Sequence, residues 1–145
     1  MIYPDLGFIL SLLVKGGNAQ KASAFLRDLP HPLPLSLVHR LQVENGLLRS
    51  LHSSDPEKIL VARNGLLLWR QYLREEIFVL QNFDLEAAFA QAAAWNAAYE
   101  IQPPRWGLLL HPAVAAITGA EFMSFDPALR KRATDEGLEV LPPKL

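Results

Sequence analysis

The sequence predicts an α/β protein, a parallel sheet of short strands covered by helices on both faces. Two observations carry this. Short apolar runs alternate along the chain with segments whose apolar residues recur at helical spacing, the pattern of strand–helix–strand units. Half of the 145 residues are apolar, enough for one packed core and too many for a disordered chain. No internal repeat or low-complexity segment interrupts the alternation. In sheets of this kind ligands gather beyond the carboxyl ends of strands, so the residues just after each strand are the first candidates for function.

Ile2 to Asp5 reads as a first strand, with Pro4 removing one ladder donor. Phe8 to Val14 reads as a helix closed by Gly16-Gly17. Asn18 is placed to cap a second helix over Lys21 to Leu29, with Phe25 and Leu26 facing inward. Pro30, Pro32 and Pro34 mark a loop into a second strand at Leu33 to Leu35. Ser36 caps a third helix running to about His52, whose apolar stripe is Leu37, Leu41, Leu48 and Leu51, interrupted by Glu44.

Asp55 as N-cap and Pro56 at the first helical position then open the most regular helix of the chain. Ile59, Ala62, Leu66, Trp69 and Leu73 alternate between spacings of three and four. Leu60, Leu67 and Leu68 widen that apolar face beyond the need of one core and point to a partner surface. Ile77 to Leu80 is β-like. Asp84 caps an alanine-rich helix reaching about Tyr99, and Pro103-Pro104 end that region. A further helix covers Leu108 to Thr118. Phe122 to Phe125 form a strand ended by Asp126-Pro127, a short charged helix comes next, and Leu138 to Leu141 form the last strand.

Composition excludes several classes. The chain has no cysteine, so disulfides and Cys-based zinc sites are out, which fits a reducing cytosol. Its net charge of −1 gives no general basic field for nucleic acid. The local triplet Arg130-Lys131-Arg132 reads as a solvated helix face. The apolar stretch Leu6 to Val14 is shorter than the ~20 residues a bilayer span needs, and Asp5 stands where a secretory signal wants positive charge. The expectation is a cytoplasmic protein without a membrane segment.

Asp5 lies between two apolar segments, where a carboxyl must be solvated, paired or bound to a cation. Alone, Asp5 is an ordinary cap and Asp126 an ordinary turn residue. Together, at the carboxyl ends of two strands, they have the makings of an acidic site. His39 and His111 read as histidines satisfied by the backbone rather than as a metal pair. Trp69 with its leucines reads first as core. Arg105 and Trp106 read first as packing and solvated residues.

The stretches "YPDLGFILSLLV", "LPLSLVHRLQVENGLL", "LLLHPAVAAITGAEFMSFD" and "GLEVLPP" occur in this order, the third closing on Gly119-Ala120-Glu121-Phe122-Met123-Ser124-Phe125-Asp126. With them the chain resembles the PIN-domain family over nearly its whole length, especially the small VapC-type ribonucleases of bacterial toxin–antitoxin pairs. The resemblance implies one PIN-like domain over residues 1–145. Its fold would be a three-layer α/β/α sandwich, with the first strand central and flanked by the strand that ends at Asp126.

The resemblance also implies a chemistry. Carboxylates gather around Mg²⁺ or Mn²⁺, which acidifies a bound water and neutralises charge on a phosphate. Asp5 matches the acid after the first strand. Asp126 matches the acid after the fourth, with Ser124 where a Thr or Ser is usual. Two expected acids are missing: Gln42, in His39-Arg40-Leu41-Gln42, stands in place of a Glu, and Leu108, in Leu108-Leu109-Leu110-His111, in place of an Asp. Leu6 replaces the usual small hydroxyl residue after the first acid. Glu44 projects about 200° around the helix from Gln42, and Glu121 opens the fourth strand at the end opposite Asp126, so neither substitutes convincingly. Pro112 falls inside a segment that the family keeps helical and is expected to strain it.

The resemblance thus implies a scaffold whose catalytic and metal residues are reduced to Asp5 and Asp126. Mg²⁺ or Mn²⁺ binding is impaired, and Ser124 and Arg105 are secondary contacts to nucleic acid. Two functions stay open. One is a protein with impaired or lost nuclease activity that acts through a protein or RNA partner. The other is an active metal-dependent endoribonuclease toxin using Asp5, Asp126 and a third ligand. The expected partners are a second copy of the chain, as a homodimer, and an antitoxin-like protein.

Overall fold

The computed structural model describes residues 1–97 and 106–144, with the backbone alone for 106–108. In chain order the elements are β1 (Ile2–Pro4), α1 (Leu6–Leu13), α2 (Ala19–Asp28), β2 (Leu33–Leu35), α3 (Leu37–Leu51), α4 (Pro56–Arg74), β3 (Phe78–Leu80), α5 (Leu85–Ala97), α6 (Trp106–Thr118), β4 (Glu121–Met123), α7 (Pro127–Asp135) and β5 (Val140–Leu141). They form two compact units, one of Met1–Asp5 with Asn82–Leu145 and one of Leu6–Gln81.

The first unit is built on a parallel sheet in the order β1-β4-β5. Tyr3 pairs with Phe122 and Pro4 with Met123, and Met123 pairs in turn with Leu141. The expected neighbourhood of the first strand and the strand before Asp126 is therefore present. The middle place in this sheet belongs to β4, not β1. Asp5 donates its N–H to the Met123 carbonyl at 2.8 Å. Neighbouring residues of a strand point their backbone groups to opposite sides, so Pro4 faces its missing donor away from β4.

α6 is the buried helix of this unit. Residues 109–115 are buried without interruption, the mark of a helix apolar all round. Pro112 sits inside it. The expected strain does not end the helix: burial of seven successive residues outweighs the one lost hydrogen bond and ring clash, worth ~3 kcal/mol. α5 packs on α6, and its fully buried Ala88 and Ala92 allow close approach. The alanine-rich helix is described to Ala97; its expected end near Tyr99 lies outside the described residues.

The second unit pairs β2 with β3 in parallel, Leu33 opposite Phe78 and Leu35 opposite Leu80. Its core contains Leu33, Leu35, Val43, Trp69 and Phe78. The rings of Trp69 and Phe78 lie 6.1 Å apart, and Tyr72 meets Phe78 edge-on at 5.8 Å. Trp69 thus takes the core reading. Gly65 lets α4 approach α1: a Cβ there would meet the Leu13 carbonyl oxygen at 2.9 Å.

Several expectations shift. α1 begins at Leu6, directly after Asp5, rather than at Phe8. Asn18 occupies the N-cap of α2 but makes no side-chain cap bond, its backbone lying near ψ 0° instead of in the extended region that a capping side chain uses. Ser36 caps α3 as expected, and Asp55 caps α4, accepting from the Glu57 N–H at 2.9 Å. The leucine stripe of α3 faces outward: Leu37, Leu41 and Leu48 are about half exposed while His39, Val43 and Leu47 are buried. Glu44 interrupts that stripe because its Oε1 accepts from Arg40 Nε at 2.9 Å and from the Trp69 indole at 3.4 Å.

Candidate acidic site

Both strand-end aspartates fall in the first unit and are joined through one hydroxyl. The β1–β4 register places Asp5 and Ser124 just past the last paired residues of their strands. Ser124 Oγ donates to Asp5 Oδ2 at 2.5 Å, and the same oxygen accepts the Asp126 N–H at 3.1 Å. Asp5 is 2% exposed and Ser124 is fully buried. A hydroxyl bond to a carboxyl in so dry a place is short and meets no competition from water.

The Asp126 side chain is exposed and serves as the N-cap of α7: its Oδ1 accepts the Leu129 N–H at 2.7 Å. Pro127 at the first helical position favours this turn. Asp126, read from the sequence as a turn residue, is thus a helix cap, while its backbone N–H points at the serine that holds Asp5.

The basic triplet supports this corner and is not merely a solvated face. Arg130 Nη1 donates to the Ser124 and Leu141 carbonyls, each at 2.8 Å, and Nη2 donates to the Pro142 carbonyl at 2.5 Å. One planar guanidinium thereby ties the end of β4 to the end of β5. Arg132 reaches the Trp95 carbonyl at 3.0 Å and pairs with Glu136 at 2.5 Å. Lys131 behaves as expected of an exposed residue, pairing with Asp135 at 2.6 Å.

Behind β1, the Tyr3 hydroxyl and His111 Nδ1 share a hydrogen bond of 3.1 Å, and Tyr3 also meets Phe83 edge-on at 5.4 Å. His111 is buried. Desolvation lowers its pKa to about 4, so the ring is neutral at pH 7. This pair escaped the sequence reading, because Tyr3 and His111 are 108 positions apart and carry no local motif.

Gln42 is half-buried on α3 of the second unit. His39 accepts the Ser36 N–H on Nδ1 at 3.2 Å while Ser36 Oγ accepts the His39 N–H at 3.4 Å, a reciprocal cap with His in the place of the usual Glu or Gln. Glu121 opens β4, at the end of the strand opposite Asp126. Glu44 is engaged by Arg40 and Trp69. Ser124 has no exposed atom for the nucleic-acid contact expected of it. Leu108 lies on α6, its side chain outside the described residues, and Arg105 falls outside them altogether.

Mg²⁺ and Mn²⁺ want about six oxygens, several of them carboxylate or water. Among the described residues, no group of three or more His, Asp or Glu side chains is arranged to hold a metal. Asp5 offers a buried carboxyl already bonded to Ser124, and Asp126 one already capping α7. That donor set does not fit a tight centre for a hard cation.

Several solved structures resemble the chain, among them two of Fit proteins. FitAB bound to an IR36 DNA fragment superposes with a TM-score of 0.65 at 15% identity, covering 97% of this chain and 93% of that one. FitAcB from Neisseria gonorrhoeae gives a TM-score of 0.63 at 16% identity, covering 97% and 96%. The likeness shows the fold. It is α/β and consistent with a three-layer α/β/α arrangement, in agreement with the PIN-like architecture that the motifs imply. No protein-family model matches the chain, and no curated protein does. Among the described residues no helix is long and apolar enough to cross a membrane.

Proposed function

We propose that this chain is a PIN-fold protein of the toxin–antitoxin kind whose metal-dependent nuclease centre is impaired or lost, and that it acts through a protein or RNA partner. The fold likeness to FitAB and FitAcB supports the general kind, since FitAB is a complex seen on DNA. The observation that carries the reading is the state of the two aspartates. Asp5 is buried against Ser124 and Asp126 caps α7, so both are occupied structurally, while neutral Gln42 and Leu108 stand where the resemblance expects further acids. Activation of water by a divalent ion needs carboxylates that can hold it.

Calorimetric titration with Mg²⁺ and Mn²⁺ tests this. The wild type gives little heat at millimolar metal. The variant Gln42→Glu with Leu108→Asp regains two acids and shows a metal-dependent rise in melting temperature, by mass action on the folded state. Clear micromolar binding by the wild type overturns the reading. It would favour the second one, an active Mg²⁺- or Mn²⁺-dependent endoribonuclease, whose support is the convergence of two strand-end aspartates on Ser124.

A further inference from the structure

Within the Leu6–Gln81 unit, α2, the loop after it and the end of α4 border a cavity of about 720 Å³. Its apolar lining includes buried Leu26 and half-buried Ile77. Its polar lining includes Gln20, Ser23 and Arg27 of α2 and His31 of the loop, all exposed. Gln20, Ser23 and Arg27 stand three and four positions apart and project within about 60° of one another. One face of α2 thus brings an amide, a hydroxyl and a guanidinium to the same cavity. Half-buried Tyr72 of α4 adds a phenol. Burial, and next the charge of Glu75, raise its pKa, so it keeps its proton. Among the described residues, none of these five side chains has a hydrogen-bonding or ionic partner. Among the same residues no Asp or Glu lines the cavity. Glu75, the acid near Tyr72, accepts a hydrogen bond from Gln71 Nε2 at 3.0 Å.

We propose that this cavity binds a small phosphate monoester with an apolar body. Its volume falls within the roughly 300–1,000 Å³ of small-molecule sites, which likewise join an apolar lining to a few convergent polar groups. Arg27 sets the charge of the ligand. It is permanently positive, it has no paired carboxylate among the described residues, and its planar fork matches the oxygens of a phosphate. The number of donors favours phosphate over carboxylate. Five donor-bearing side chains outnumber the roughly four acceptor sites of a carboxylate, while a phosphate monoester has a third free oxygen. Leu26, Ile77 and the Tyr72 ring give the ester's body a surface that leaves water on contact. This site goes beyond the acidic-centre reading and does not depend on it, since Asp5 and Asp126 belong to the other unit.

The test titrates the full chain with phenyl phosphate, phenol, inorganic phosphate and benzoate, read by backbone amide shifts in NMR spectra. Phenyl phosphate should give saturable shifts in α2 and at residues 31 and 77. Phenol lacks the charge, inorganic phosphate the apolar body and benzoate the third oxygen, so each should bind at least about tenfold more weakly. Arg27→Ala with His31→Ala, both at exposed positions, should weaken phenyl phosphate at least about tenfold and leave phenol unchanged. Circular dichroism confirms that the variant folds. Glu75→Gln removes a neighbouring negative charge and should tighten phenyl phosphate without changing phenol. No saturable shift at millimolar phenyl phosphate overturns the proposal. So does phenol that binds equally well, which leaves only an apolar cleft. Benzoate that binds equally well gives the cavity to carboxylates and overturns it too. Binding that survives loss of Arg27 and His31, that weakens in Glu75→Gln, or that shifts only other residues has the same consequence.

Discussion

Ser124 Oγ donates to Asp5 Oδ2 at 2.5 Å across the ends of β4 and β1, in a place where neither residue is more than 2% exposed. The bond joins residues 119 positions apart and fixes the end of β1 to the end of β4. Ser124→Ala should therefore destabilise the fold by about 2–3 kcal/mol, because it removes a donor from a buried carboxyl and the acceptor of the Asp126 N–H. Urea unfolding measures it. A change below about 0.5 kcal/mol, the usual range for surface substitutions, would remove the structural role given to this pair.

Arg130 holds three carbonyls from two strand ends. Lysine keeps the charge but has no planar fork to span them. Arg130→Lys should cost about 2 kcal/mol or more through carbonyls left unpaired. Hydrogen exchange should speed up at Val140 and Leu141 before it does in β1. Exchange that is unchanged in β5 would contradict the clamp.

Stability should fall as pH drops from about 6.5 to about 4. His111 takes up its proton near the ordinary value of 6.5 when unfolded, and only near pH 4 when folded. Between these values the unfolded state binds more protons, so acid favours unfolding, by about 3 kcal/mol across the window at most. Above pH 6.5 both states are neutral at this ring and the contribution is flat. Unfolding midpoints of the wild type and of His111→Gln, measured across this range, should converge toward low pH. Parallel profiles would show that His111 is not the group responsible.

Gly65→Ala sets two effects against each other. Alanine favours the helix by about 1 kcal/mol. The new Cβ would meet the Leu13 carbonyl oxygen at 2.9 Å and Leu47 Cδ2 at 3.1 Å. The leucine tip can move, but the backbone oxygen cannot, and overpacking of this kind costs about 1–3 kcal/mol. The net effect expected is destabilisation, read by thermal melting. A stabilised variant would mean that α4 can slide away from α1 freely.

Legibility of the sequence tracks the range of the interactions. Caps are local, so Ser36, Asp55 and Asp84 could be read from the residues just after them. Asn18 has the right side chain, but its backbone turns the cap bond away. The outward leucines of α3 misled because two stripes compete on that helix, and the buried one is His39, Val43 and Leu47. Its histidine does not look apolar until the reciprocal bond with Ser36 is seen. At the acidic site, the two aspartates were legible as strand-end residues. The serine that joins them was legible as a motif position, and its burial was not. Tyr3 with His111 left no trace in the sequence, since nothing short-range marks a bond between a first strand and a late helix.

The pairing of Tyr3 with Phe122 also sets an order of assembly. Leu6–Gln81 is one unbroken run, so all of its own residues have left the ribosome soon after Gln81 is added. β1 precedes it in the chain yet belongs to the other unit and must wait for β4, more than forty residues further on. At about 5–20 residues per second that wait lasts seconds. During synthesis β1 therefore waits for β4, its parallel partner in the sheet, and a chain interrupted after Gln81 never receives that partner.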